Sequence, residues 1–328
     1  MSPHLDWLSQ LLEIMPVRGR LDLRCQYGAP WRVAQDRAGV GEIPYHVVLS
    51  GSAVLEDPEG GRPRLLRAGD ILLLPHGESH VLHDGGGEPP APAHNRQRLN
   101  LTLSENTGDG DRLDMLCGRF SLSRTHDRVL RSYLPPQLVV SAGGADATGR
   151  PLRTTGAQLA DLVALMRTES AADNLGGFAM LGAFSTAMFA LILRLASETN
   201  AAPAGLLALA GHPRLAPALS AMFNRPAAPW TLPELARLCN LSRATLARQF
   251  QEKLGRSASE LLLDIRMTLA ASELRNSTAS TGAVAAGVGY QSEAAFQRAF
   301  KQSMGVTPAQ WRRAGVIEPL GDLSGNGI

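Results

Sequence analysis

The chain has 328 residues, 44% of them apolar, and three cysteines. That length suggests about two domains, and the composition excludes wholesale disorder, collagen-like repeats and a disulfide-built scaffold. The net charge of +2 is uneven: residues 1–212 hold 19 Arg against 22 Asp and Glu, whereas residues 213–316 hold 13 Lys and Arg against 6 acidic residues, so the C-terminal part is the one suited to a polyanion.

Met1–Pro16 has no basic n-region and no small-residue cleavage site. Leu5, Leu8, Leu11, Leu12 and Met15 share one helical face, which predicts a short docked helix rather than a signal peptide. From about residue 20 to 125 the pattern is strand-like. Leu21, Leu23 and Cys25 alternate with charged residues. Tyr45–Leu49 runs into a Ser-Gly-Ser turn and then Ala53–Leu55. Ile71–Pro75 follows an Ala-Gly-Asp turn, Val81 and Leu82 follow His80, and Leu113–Leu122 closes the series. Short strands at this spacing predict a small barrel or jelly roll. Gly85–Asp111 reads as an exposed loop carrying one strand-like piece, Leu99–Leu103, and Ser141–Arg150 as a Gly/Ala-rich linker.

Residues 157–198 show helical periodicity. Fourteen of the 19 residues from Leu175 to Leu193 are apolar, close to the length of a membrane span. Its glycines, alanines and hydroxyl residues, and the lack of an aromatic belt or basic cluster at its flanks apart from Arg194, favour a helix buried in a core or a subunit interface. Asn200–Gly205 reads as a second linker, and Pro217–Ala314 as helical throughout.

The C-terminal block contains a repeat at an offset of 50 residues. Ser242/Ser292, Ala244/Ala294, Arg248/Arg298, Phe250/Phe300 and Gly255/Gly305 are identical across two 14-residue segments. Two copies are too few for a solenoid and indicate a duplicated supersecondary unit. Each copy reads as a helix-turn-helix whose second helix opens on a capping serine, packs inward through Leu246 and Phe250 or through Phe296 and Phe300, and projects polar residues outward. Such a unit places its second helix in the DNA major groove. The candidate DNA-contacting residues are Ser242, Arg243, Thr245 and Arg248 in the first copy. In the second they are Gln291, Ser292, Glu293, Gln297, Arg298 and Lys301.

On the stretches LPELARLCNLSRATLARQFQEKLGRSASELLLDIRMTLA and AGVGYQSEAAFQRAFKQSMGVTPAQWRR, residues 216–314 resemble the AraC/XylS-type DNA-binding domain. Ala258 departs from the pattern, since the first copy often carries a proline matching Pro308. Ala244 and Ala247 are smaller than the side chains many members present on the first recognition helix. On PYHVVLSGSAVLE, RLLRAGDILLLPHGESHVL and LCGRFSL, residues 20–125 resemble the cupin-type N-terminal domain of a subset of these regulators. Enzymatic cupins supply neighbouring histidines and a glutamate to a metal. His46, His76, His80 and His83 are the candidates here, but no H-x-H pair followed by Glu is present, and hydrogen-bonded strand histidines are the simpler reading.

Cys25 ends a strand signal, and Cys117 lies beside Gly118 and Arg119, where a guanidinium would lower a thiol pKa. The arrangement LDLRCQYG, then Trp31, then LCG is similar to that in cupin-type AraC members that sense reactive chlorine and other thiol oxidants. Redox sensing by Cys25 and Cys117, a small-molecule effector, and two merely buried thiols stay open as readings, and Cys239 reads as core.

The sequence therefore predicts an α+β protein, in which residues 1–140 form a cupin-like β-barrel sensory domain and residues 151–200 a helical dimerisation segment. Residues 206–314 form an all-α domain with recognition helices at about 242–253 and 292–303, and residues 315–328 a flexible tail. The expected function is a cytoplasmic, sequence-specific transcription regulator with no catalytic residues, metal or cofactor. Its expected partners are double-stranded DNA, RNA polymerase if it activates, a second copy of the chain, and an oxidant or small-molecule effector, with no membrane. The alternative is a metal-dependent cupin oxygenase or isomerase with a helical extension, which leaves the repeat unexplained.

Overall fold

The computed structural model describes residues 6–57, 62–143, 154–198 and 203–315. The elements run α1 (Trp7–Ile14), β1 (Arg18–Gly28), β2 (Arg32–Gln35), β3 (Glu42–Ser50), β4 (Ser52–Leu55), β5 (Arg64–Arg67), β6 (Asp70–Leu73), β7 (His80–His83), β8 (Ala93–Gln97), β9 (Thr102–Asn106), β10 (Arg112–Ser121), α2 (Arg124–Tyr133), β11 (Leu138–Ser141), α3 (Thr155–Ala171) and α4 (Gly177–Glu198). Eight further helices follow: α5 (Leu206–Ala210), α6 (Ala216–Asn224), α7 (Leu232–Leu238), α8 (Arg243–Leu254), α9 (Ala258–Asn276), α10 (Thr281–Gly287), α11 (Glu293–Met304) and α12 (Pro308–Gly315). The described residues divide into two compact units, one within residues 15–211 and a helical one within residues 212–315 that also takes in residues 6–14. The linker expected at 141–150 lies outside the described residues from 144 onward, as does the tail from 316.

The first unit is a two-sheet structure. Seven strands in the order β11-β6-β3-β10-β1-β9-β8 face four in the order β2-β7-β4-β5. Strand alternation sends one set of side chains inward: Cys25 and Tyr27 from β1, Val48 from β3, Leu72 from β6, and Leu113, Met115 and Cys117 from β10. They meet Ala53, Leu55, Leu66 and Leu82 of the smaller sheet in one buried cluster. The opposite face of the large sheet is covered by helix α4. Tyr45 packs on Phe120 at 4.7 Å between ring centroids, and Phe120 on Phe189 of α4 at 4.8 Å. The Tyr45 hydroxyl lies 2.8 Å from Ser185 Oγ. Gly118 permits this approach, because a Cβ there would come within 2.5 Å of the Tyr45 ring.

Arg24 fixes α3 to the sheet. Its guanidinium grips Asp114 with two hydrogen bonds of 2.9 and 2.7 Å, and its Nη1 also reaches Ser170 Oγ at 3.1 Å. Both side chains of this ion pair are largely buried, the setting in which removing one partner is costly.

The segment expected to be a loop contains two paired strands. β9 runs parallel to β1, and β8 caps the sheet edge with all five residues exposed. A polar exposed strand carries no hydrophobic alternation, so the sequence gives no period-2 signal for it.

In the helical unit α1 packs on α6 and α9 through Leu8, Leu11 and Ile14. Met267, Ala270, Ala271 and Leu274 of the long helix α9 form a core with Val284, Ala285 and Val288 of the α10 region and with Phe296 and Phe300 of α11. Small residues at 270, 271 and 285 let these helices approach closely.

Candidate nucleic-acid interface and buried thiol site

Both helix-turn-helix copies form, with matched local chemistry. Ser242 caps α8 by accepting from Thr245 N at 3.1 Å, and Ser292 caps α11 by accepting from Ala295 N at 3.4 Å. Thr231 and Glu234 form a capping box at the start of α7. The turns superimpose in their bonding: Leu241 N donates to Ala236 O, and Tyr290 N to Ala285 O, each at 2.9 Å. In each, the residue before has positive φ, Asn240 at 52° and Gly289 at 87°. Equivalent turn positions are thus 49 residues apart and the capping serines 50, so Gln291 is the one extra residue in the second turn.

The two recognition helices bury the same positions, Leu246 and Phe250 in α8 and Phe296 and Phe300 in α11. They also expose the same positions: Arg243, Ala244, Ala247, Arg248 and Gln251 match Glu293, Ala294, Gln297, Arg298 and Lys301. Gln251 was absent from the sequence-based set, although the repeat aligns it with Lys301. Thr245 is half-buried and shares a hydrogen bond with the capping Ser242 at 2.9 Å. Arg248 has only an exposed, loose pairing with Glu252 at 3.6 Å, and Gln297 bonds Glu293 at 2.9 Å. Each exposed face carries two basic residues, Arg243 and Arg248 on α8 and Arg298 and Lys301 on α11, of the type that meets phosphates or base edges.

The thiols meet in the core of the first unit. Cys25 Sγ and Cys117 Sγ are 3.9 Å apart. In the β1–β10 ladder Cys117 pairs with Leu23 and Cys25 with Met115, so the cysteines are diagonal neighbours on one face. The ladder slips between Leu21 and Leu23, a bulge at Asp22 directly opposite Cys117 and Gly118.

His46 Nδ1 lies 3.1 Å from Cys117 Sγ, His46 Nε2 lies 2.7 Å from His80 Nε2, and His80 Nδ1 lies 3.1 Å from the Glu78 carbonyl. Both histidines are buried. Burial, with His80 alongside, pulls the His46 pKa down to about 3, and burial also lowers that of His80. The neighbouring Cys25 sulfur and burial raise the Cys117 thiol. The Arg119 guanidinium is not what faces Cys117: it engages Glu42 at 3.4 Å and Asp22 at 3.7 Å.

Of the other histidines, His76 bonds the Leu134 carbonyl and His83 accepts from Gly85 N. The four donors around Cys117 are strung in a line, with both His46 nitrogens already engaged, rather than arranged about one point. Among the described residues no group of three or more His, Cys, Asp or Glu is placed to hold a metal ion.

The sign of the pH dependence follows from His46. The unfolded chain takes up this proton near pH 6.5, the folded one only near 3, so stability is lost as pH falls through that window. Thermal unfolding should occur at lower temperature at pH 5 than at pH 7, and His46→Gln should narrow the difference. An equal difference in the variant would assign it to other groups.

A cavity of about 650 Å³ opens at one end of the sheets, with Trp31, Asp84, Glu88, Asp109, Asp111 and Arg112 in its wall.

Comparison with known proteins agrees with both halves. A cupin family model matches residues 6–198, and a helix-turn-helix domain model matches residues 235–314. The chain is 29% identical over 311 residues to an uncharacterized HTH-type transcriptional regulator of Haemophilus influenzae, covering 94% of this chain and 99% of that one. It is 28% identical over 315 residues to the HTH-type transcriptional regulator MtrA of Neisseria gonorrhoeae, covering 95% and 99%. It is 27% identical over 308 residues to the RCS-specific HTH-type transcriptional activator RclR of Escherichia coli, covering 94% and 97%. Two Streptomyces relatives are named AraC-like transcription regulators. With a cupin domain joined to a tandem helix-turn-helix unit, and relatives matched over nearly their whole length, the chain belongs to the cupin-bearing AraC-type regulators of transcription, DNA-binding proteins and not enzymes.

Proposed function

We propose that the Cys25–Cys117 pair is the trigger that controls DNA binding by α8 and α11. The observation that carries this reading is the 3.9 Å approach of two thiols on neighbouring strands beside a bulge. Diagonal ladder partners have Cα atoms about 7–8 Å apart, beyond the roughly 4.4–6.8 Å that a disulfide spans, so closing the bond draws β1 against β10. The strain falls beside Gly118, where Tyr45 meets Ser185 of α4. Oxidation thus acts on the seat of the long apolar helix. DNA footprinting of the full chain under reducing and oxidising conditions tests this: the protected region should change with oxidation, and an unchanged footprint would refute a thiol trigger. The similarity to RclR, named RCS-specific, supports an electrophilic oxidant as the signal. A small-molecule effector in the cavity at Trp31 is the second reading, since Trp31 belongs to the same core cluster as Cys25.

On this reading the chain works in the cytoplasm as a homodimer on promoter DNA and, as an activator, meets RNA polymerase there. Helix α4 is long and apolar enough to cross a membrane, but one third of its most apolar window is buried against the protein, and it covers the sheet through Phe189 and Ser185. Its other face leaves Met180 about half exposed, next to the exposed small residues Ala179, Ala183 and Ala187. We assign that face to the subunit contact. Met180→Arg should convert dimers to monomers in light scattering; a soluble variant that remains dimeric would place the contact elsewhere.

A further inference from the structure

The hydrogen-bond directions around Cys117 are fixed from their far end. The Glu78 carbonyl can only accept, so His80 Nδ1 carries a hydrogen. A neutral His80 then has a bare Nε2, which accepts from His46 Nε2 at 2.7 Å. A neutral His46 donating there has a bare Nδ1, which faces Cys117 Sγ at 3.1 Å and accepts the thiol hydrogen. Cys25 has no such base: its polar neighbours are the Cys117 sulfur and the Tyr27 hydroxyl, whose pKa burial raises, so that it holds its own proton. The two thiols are therefore chemically unequal.

We propose that Cys117 is the sulfur that meets oxidant first, that His46 Nδ1 accepts its proton as it reacts, and that His80, held by the Glu78 carbonyl, keeps His46 in the accepting tautomer. Resting on the thiol-trigger reading, this assignment adds an order of events and a path for the proton. Both cysteines are almost fully buried among Val48, Leu72, Met115 and Trp31. Such a site admits a small, uncharged two-electron oxidant, a hydrogen peroxide or hypochlorous acid type of molecule, and disfavours anions and bulky hydroperoxides.

With hydrogen peroxide the steps balance. The Cys117 sulfur attacks one peroxide oxygen as its proton passes to His46, which hands it on within the same step because burial disfavours a standing imidazolium. The O–O bond breaks, Cys117–S–OH forms, and the departing hydroxide takes the proton from His46 as water. The Cys25 thiol then attacks the sulfenic sulfur, the S–S bond forms, the S–O bond breaks, and the hydroxyl leaves as water with the Cys25 proton. Two thiols lose two electrons and one peroxide becomes two waters. His46 is a positioning base within this sequence, and His80 acts only through His46.

The test uses the full chain and hydrogen peroxide, which stays uncharged across the range studied, with mass spectrometry of the cysteine peptides. In Cys25→Ser, dimedone should trap a sulfenic acid on Cys117; in Cys117→Ser, Cys25 should stay a thiol. The wild-type rate should be nearly flat between pH 6 and 8, because the acceptor is neutral throughout. In His46→Asn it should drop about 100-fold at pH 7 and rise about tenfold per pH unit, as free hydroxide replaces the base. His80→Gln, which keeps an acceptor oxygen facing His46 Nε2, should stay near wild type, while His80→Leu should slow the reaction about tenfold. A wild-type rate and slope in His46→Asn, or trapping on Cys25 instead of Cys117, would overturn the assignment. If His46→Asn does not fold, equal rates for His80→Gln and His80→Leu would overturn it as well. Affinity for a duplex selected from a random pool, measured before and after oxidation, separates this from the underlying reading. Unchanged affinity after a His46-dependent reaction refutes the trigger alone, whereas an oxidant-dependent change that is indifferent to His46 refutes the relay alone.

Discussion

Replacing either Cys25 or Cys117 by serine should abolish the response of DNA binding to oxidant, and Cys239→Ser should leave it intact. Each of the first two changes removes one end of a bond that cannot form otherwise, so the expected loss is the whole coupling and not a fraction of it. Couplings between an effector site and a binding site are typically about 1–3 kcal/mol, or roughly 5- to 150-fold in affinity. That is the oxidation-dependent shift to seek by fluorescence anisotropy. Cys239 is different in kind. It sits buried at the C-terminal end of α7, and burial raises its thiol pKa. No partner sulfur stands beside it comparable to the 3.9 Å pair in the sensory unit. Serine is close to cysteine in volume, so the single variants should fold. A double variant that keeps the full oxidant response would transfer the signal to a ligand in the cavity at Trp31.

Arg248→Ala and Arg298→Ala should each weaken specific binding by about 1–3 kcal/mol if the guanidinium reads a guanine, with the loss concentrated at one base pair. The sites lie on separate helices, so the double variant should lose close to the sum. Lys301→Ala should instead lower affinity on all sequences and reduce the salt slope by about one, the signature of a phosphate contact. These exposed residues contribute little to folding, whereas the nearby Phe300→Ala should cost about 3–5 kcal/mol of stability, because its ring is fully buried between Phe296 and Trp311. Titrations on specific and random duplexes, with thermal melts as controls, check all four. Equal losses on both duplexes for the two arginines would show that they hold phosphates.

The DNA-binding unit was legible because its signals are local. A capping serine, apolar residues four apart and a glycine ending the helix occur within 14 residues and then recur. The structure places Ser242 and Ser292 at the caps and Gly255 and Gly305 in left-handed conformation at the ends. The single extra turn residue, Gln291, was hidden, because the ungapped offset of 50 holds only from the capping serine onward. Several elements of the sensory unit gave no periodic signal. β5 reads Arg-Leu-Leu-Arg, β8 is polar and exposed, and α2 carries charged residues through most of its length. Each is held by its neighbours and not by its own pattern.

The sequence by itself determined the division of labour: a basic, duplicated helix-turn-helix unit behind a strand-rich unit with two cysteines. Each of those facts depends on residue type and near-neighbour spacing, which a chain carries whether or not it is folded. Only the tertiary structure decided what surrounds the sulfurs. Arg119, next but one to Cys117, turns to carboxylates, while His46 and His80, 71 and 37 residues away in sequence, stand in line with the thiol. Sheet pairing brings β1, β3 and β10 side by side and faces them with β7, so the partner of a buried group is set by strand order and register, which no local spacing encodes.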